Sequence, residues 1–190
     1  STERLIEGRL ALITGAGQGN GRALAIGLAA AGARVIVTDL NAETVNQTAD
    51  LVREAGGTAY ADKLDVTDAA ACKAFAELIA REVGTVDLLV NNAGIIIREG
   101  SDSPKAESNW RLTMDVNVNG TFNVTYAFLP ALKATKGTIV NVASIAAYAG
   151  EGGRLGYSPS KGAIKMLTQS FAAELAKDGV RVNARAPGVI

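Results

Sequence analysis

Short aliphatic and β-branched runs alternate with alanine-rich stretches of helical spacing along this chain. The runs at 10–14, 34–38, 58–63, 86–91, 137–143 and 180–184 read as strands. They show little alternation between apolar and polar positions, as expected for strands covered on both faces. The stretches at 21–31, 42–55, 68–83, 105–132 and 157–177 read as helices. Strand and helix in strict alternation, joined by right-handed crossovers, predict an α/β fold with a doubly wound parallel sheet.

Punctuation between the segments agrees with this reading. Asn41 is placed to cap the second helix, with Glu43 favourable in its first turn, and Thr67 or Asp68 opens the third. Gly32, Gly56-Gly57 and Gly84 stand where helices should stop. Pro130 falls inside the longest helical stretch, which is expected to end or bend near it. No internal repeat or linker divides the sequence, so residues 1–190 are expected to form one domain.

Composition narrows the chemistry. The 190 residues are 48% hydrophobic and 20% charged, with 19 basic against 19 acidic side chains. That balance offers no basic stripe for nucleic acid. No apolar run approaches a membrane span, Ser1-Thr2-Glu3-Arg4 opens no secretory core, and a lone cysteine that cannot close an internal disulfide fits an expected reducing, cytoplasmic setting. Cys72 is the single cysteine and reads as a packed helical thiol. There is no histidine. Ser–His–Asp and Cys–His catalysis and histidine-ligated zinc are thereby excluded, and one cysteine removes thiolate-rich metal sites, so no metal centre is expected. Acid–base work falls to Tyr, Lys, Asp or Glu.

Thr14-Gly15-Ala16-Gly17-Gln18-Gly19-Asn20-Gly21 leaves the first strand and enters the first helix. Glycines here let backbone approach a pyrophosphate whose charge rests on the helix N-terminus. The plainer reading is a tight turn for close helix–strand packing. Asp39 ends the second strand, where a carboxylate accepts hydrogen bonds from adenosine ribose hydroxyls and repels a 2′-phosphate. Gln18 and Leu40 provide no cation for such a phosphate, so NAD(H) is expected over NADP(H). Asp65-Val66 after the third strand could border the adenine. Asn92-Ala93-Gly94 after the fourth could face the cofactor. Each alone is also an ordinary strand-to-loop turn.

Tyr157 and Lys161 are four residues apart on a helix, so both side chains emerge on one face. An unassisted phenol is a poor base at neutral pH, and a neighbouring ammonium in a dehydrated cleft is the means of activating one. Ser144, after the fifth strand, can hydrogen-bond a substrate oxygen. Without the glycine turn, the Tyr–Lys pair would read as an amphipathic surface pair and Ser144 as a strand-end hydroxyl.

In order and spacing these motifs resemble the classical short-chain dehydrogenase/reductase family over essentially the whole chain. The resemblance rests on the glycine turn, Asn91-Asn92-Ala93-Gly94, Asn117, Ser144, Tyr157-x-x-x-Lys161 and Pro187-Gly188. It implies a Rossmann-like sheet of order 3-2-1-4-5-6 and a catalytic tetrad of Asn117, Ser144, Tyr157 and Lys161. It also implies that Lys161 anchors the nicotinamide ribose, that Asn117 secures a water, and that Thr14 braces the glycine turn or the 91–94 segment. Pro187 and Gly188 would flank the nicotinamide. The expected activity is NAD(H)-dependent interconversion of a secondary alcohol and a ketone, with Tyr157 as acid/base and a dimer or tetramer built through the two long helices. The alternative is a catalytically impaired nucleotide-binding or structural member of the same fold.

Three features depart from the family pattern. Asn20 replaces an aliphatic residue in the turn, and Arg185 replaces an apolar one before Ala186-Pro187-Gly188. Family members also continue past the position of Ile190, through a substrate-covering segment to a seventh strand that this sequence does not contain. Arg98, Glu99, Leu155 and the 149–154 loop are expected at the substrate entrance.

Overall fold

A computed structural model describes residues 6–188. Ser1–Arg4 and Ile190, discussed above, lie outside the described residues. Six strands form the sheet: β1 (Leu10–Ile13), β2 (Arg34–Asp39), β3 (Ala59–Lys63), β4 (Leu88–Asn91), β5 (Thr138–Val142) and β6 (Arg181–Arg185). All neighbours pair in parallel, in the order β3-β2-β1-β4-β5-β6. The helices are α1 (Gly19–Ala30), α2 (Ala42–Glu54), α3 (Ala69–Glu82), α4 (Ala106–Met114), α5 (Gly120–Thr135) and α6 (Tyr157–Leu175).

Strand pleating sends successive side chains to opposite faces, and β1 shows the consequence. Leu10 and Leu12 join Phe75 and Ile79 of α3 and Phe128 and Leu132 of α5 in one core. Ala11 and Ile13 join Ala25 of α1 and Val45, Ala49 and Val52 of α2 in the other. The chain thus buries both faces, as the unbroken apolar runs require. Strand order reverses between β1 and β4, whose carboxyl ends open side by side. That reversal creates the crevice in which open α/β sheets bind ligands.

The caps follow the sequence signals. Asn41 Oδ1 accepts from the Glu43 and Thr44 N–H groups, and Asp68 Oδ1 from Ala71 N–H. Gly32, Gly56 and Gly84 all have positive φ.

The helix expected over 105–132 needs correction. A π-helical turn over Asp115–Asn119 separates α4 from α5, marked by the Gly120 N–H bond to the Asp115 carbonyl. Pro130 does not end α5, which runs on to Thr135. A proline at 130 removes the hydrogen bond to the carbonyl of Tyr126. Tyr126 and Pro130 both face solvent, so water can satisfy that oxygen. Arg185 is also exposed and needs no buried partner.

Candidate active site

A cleft of about 450 Å³ lies along the carboxyl ends of the strands. Its wall contains Gly15, Gln18, Asn20, Asp39, Leu40, Asp65, Val66, Asn92, Ala93, Gly94, Ser144, Tyr157, Lys161, Pro187 and Gly188. Residues spread over the sequence from the first strand to the last therefore meet on one surface. Leu64, Ile95, Ile96, Val116, Val142 and Ala143 also line it and carry no recognisable motif. Arg98, Glu99, Leu155 and the 149–154 loop do not line this cleft. Glu99 and Leu155 border a smaller depression beside Trp110, and Glu99 pairs with Arg154 in an isolated bridge.

The glycine turn is built for close approach. Gly15 has φ +60°, and a Cβ there would fall 2.7 Å from Ala93 Cα. Gly17, Gly19 and Gly21 are not on the cleft wall. A Cβ on Gly17 would meet Asp39 Oδ2 at 2.9 Å, and one on Gly21 would meet Asn92 Nδ2 at 2.5 Å. Both positions demand close packing within the turn. Gln18 caps α1 without a side-chain hydrogen bond, and no acidic residue stands in the first turn. The leading N–H groups of a helix have no intrahelical acceptor, so this end suits a pyrophosphate. The Asp39 carboxylate accepts from Gly17 N–H at 2.9 Å and Asn41 N–H at 3.3 Å.

Thr14 Oγ1 accepts from both Asn92 N–H (3.1 Å) and Ala93 N–H (3.0 Å), locking the 91–94 segment beside β1. Asn91 faces inward instead, donating to Thr125 Oγ1 and Asn141 Oδ1.

Lys161 is only 6% exposed, and its ammonium donates to the Val142 carbonyl at 2.7 Å. Burial pulls its pKa down to about 8. Nζ lies 5.7 Å from the centroid of the Tyr157 ring. An ammonium carries three donors, so those beyond Val142 remain for a ligand in the cleft. This burial excludes the amphipathic surface pair that the Tyr–Lys spacing also allowed. Ser144 Oγ accepts from Ala146 N–H at 3.1 Å, which leaves the hydroxyl proton as a donor toward the cleft.

Asn117 sits in the π turn and is buried behind the wall. Its Oδ1 accepts from Ile95 N–H at 2.8 Å, and its Nδ2 donates to the Ile95 carbonyl at 2.9 Å and to Ser160 Oγ at 3.0 Å. Ser160 Oγ donates onward to the Tyr157 carbonyl at 2.7 Å. The carboxamide thus joins the loop after β4 to the first turn of α6. Among the described residues no group of His, Cys, Asp and Glu side chains could hold a metal ion. Cys72 is buried, and its pKa is raised to about 11, chiefly by that burial.

Residues 9–190 match the family model described as short chain dehydrogenase. An uncharacterised oxidoreductase of Bacillus subtilis is 37% identical over 185 residues, covering 97% of this chain and 68% of its own length. A 7α-hydroxysteroid dehydrogenase of Escherichia coli is 36% identical over 186 residues, covering 97% and 72%. A gluconate 5-dehydrogenase of Burkholderia cenocepacia, solved with NADP and tartrate, superposes with a TM-score of 0.92 at 37% identity. That superposition covers 98% of this chain and 73% of the other. With this match and the shared parallel sheet, the chain belongs to the short-chain dehydrogenase/reductase family of nicotinamide-dependent oxidoreductases.

Proposed function

We propose that residues 1–190 act as one dinucleotide-binding and catalytic unit that interconverts a secondary alcohol and a ketone with NAD(H). The observation carrying this reading is the common wall shared by Gly15, Gln18 and Asn20 of the glycine turn with Asp39, Ser144, Tyr157 and Lys161. A bound nicotinamide supplies or accepts the hydride. Gln18 and the N-terminus of α1 hold the pyrophosphate, Asp39 the adenosine ribose, and Lys161 the nicotinamide ribose. Asp65 and Val66 border the adenine, and Pro187 and Gly188 border the nicotinamide.

Tyr157 takes the alcohol proton in oxidation and returns it in reduction. Lys161 favours the phenolate, because an ammonium this poorly solvated acts through little intervening water. Ser144 donates to the substrate oxygen and holds it beside Tyr157. Asn117 acts through position: it fixes Ile95 and the start of α6, and its side chain is already engaged.

Asp39 supports NAD over NADP, since a 2′-phosphate would meet its carboxylate. The Burkholderia relative was solved with NADP, so this preference rests on Asp39 of this chain and not on family membership. The names 7α-hydroxysteroid dehydrogenase and cyclohexanol dehydrogenase, carried by two relatives, favour a secondary alcohol as the substrate class. Exposed Phe122 and Tyr126 on α5 and Met166 on α6 offer contacts for a homo-oligomer, readable by light scattering.

Calorimetry with NADH, followed by an absorbance assay with secondary alcohols and ketones, tests the proposal. Binding with turnover supports it. Binding without turnover leaves a nucleotide-binding module, and absence of binding removes the cofactor assignment.

A further inference from the structure

Four consecutive carbonyls of the glycine turn each accept a side-chain hydrogen bond. Asn92 Nδ2 donates to the oxygens of Thr14 (3.1 Å) and Gly15 (2.9 Å). Thr48 Oγ1 donates to Ala16 O at 2.8 Å, and Arg22 Nη2 to Gly17 O at 2.5 Å. Arg22 Nε also donates to Thr48 Oγ1 at 3.0 Å. Guanidinium nitrogens only donate, so that bond occupies a lone pair of the Thr48 oxygen. The one hydroxyl proton then goes to Ala16 O rather than to Thr44 O, which is farther away at 3.2 Å.

We infer that Thr48 and Arg22 are positioning residues for the cofactor: they hold the turn's carbonyls back so that its N–H groups face the pyrophosphate. A phosphate cradle works only if its peptide dipoles point positive end inward. The Gly17–Gln18 peptide has its carbonyl held by Arg22 and its N–H on Gln18, a residue of the cleft wall. The preceding Ala16–Gly17 peptide is fixed at both ends: its carbonyl is held by Thr48, and its N–H is held by the Asp39 carboxylate at 2.9 Å. Thr48 is fully buried on α2, so without its hydroxyl the Ala16 oxygen has no solvent to turn to. Rotation of that peptide would turn its carbonyl toward the Asp39 carboxylate, releasing Asp39 and disturbing the Gly17–Gln18 peptide that follows. The Arg22 charge, drawn behind the turn by Gly17 O and Thr44 O, adds attraction without entering the cleft wall.

The inference rests on the cofactor reading above, and ADP-ribose binding by calorimetry separates the two. Thr48→Val removes the hydroxyl at nearly constant shape, and Thr48→Ser retains it. The expected result is about tenfold weaker ADP-ribose binding for Thr48→Val and near-normal binding for Thr48→Ser, with kcat at saturating cofactor unchanged in both. Arg22→Gln, at a half-exposed position, should weaken binding to a similar degree and decides the matter if Thr48→Val does not fold. Wild-type affinity in a folded Thr48→Val or in Arg22→Gln overturns the inference and leaves the cofactor reading intact. Failure of the unaltered protein to bind ADP-ribose overturns both.

Discussion

The Lys161 ammonium is tethered to the Val142 carbonyl at 2.7 Å, which joins the second turn of α6 to the last residue of β5. The bond sets the base of the Tyr157–Lys161 pair against the strand that leads to Ser144. It also places a cation where water is scarce.

That burial makes stability depend on pH. Lys161 titrates at about 8 in the folded chain, against an ordinary value of 10.5. Between those values the unfolded chain carries the extra proton, so stability rises with pH across the window and is lost as pH falls through the folded value. The contribution is on the order of 3 kcal/mol. Urea denaturation at about pH 7 and about pH 9.5 should show about 2 kcal/mol of this rise in the wild type and none of it in Lys161→Met. Parallel behaviour of the two proteins would refute the assignment.

Tyr157→Phe removes only the hydroxyl. Turnover should fall by about three orders of magnitude, the scale of a lost acid/base group, while the calorimetric affinity for NADH changes little. A near-normal kcat would take the proton-transfer role away from Tyr157.

At Asp39, replacement by Ala removes the acceptor for the ribose hydroxyls and the repulsion of a 2′-phosphate. The ratio of kcat/KM values for NAD and NADP should drop by about tenfold or more, equivalent to one lost charge-assisted contact. An unchanged ratio would place the adenosine ribose elsewhere.

Two glycines in α1 should respond in opposite directions to alanine. A Cβ at Gly21 would press on the Gly15 carbonyl and on Asn92, which is itself tied to the turn. Gly21→Ala should therefore lower the melting temperature and weaken NADH binding. Gly27 has open space around its missing Cβ, and Gly27→Ala should stabilise the protein by about 0.5–1 kcal/mol. Thermal denaturation of both variants checks the contrast.

Much of this protein is legible without coordinates because its signals are local. Doubly covered strands need unbroken apolar runs, so the sequence at 10–14 and 34–38 already announces a buried parallel sheet. The glycines at 15–21 and the Tyr157–Lys161 spacing are also short-range patterns, set by backbone sterics and helical pitch. Tertiary structure alone decided the rest. Pro130 reads as an end or a bend, yet α5 runs past it to Thr135, with Tyr126 and Pro130 both at exposed positions. The real interruption is the π turn around Asn117, whose carboxamide is drawn to Ile95 and Ser160 from other segments. Neither Thr48 nor Arg22 belongs to a motif; Arg22 reaches back to the turn from α1 itself, whereas Thr48 reaches it only because α2 packs beside α1. Hydrogen bonds across tens of residues depend on where whole elements dock, and a one-dimensional pattern does not encode that docking position by position.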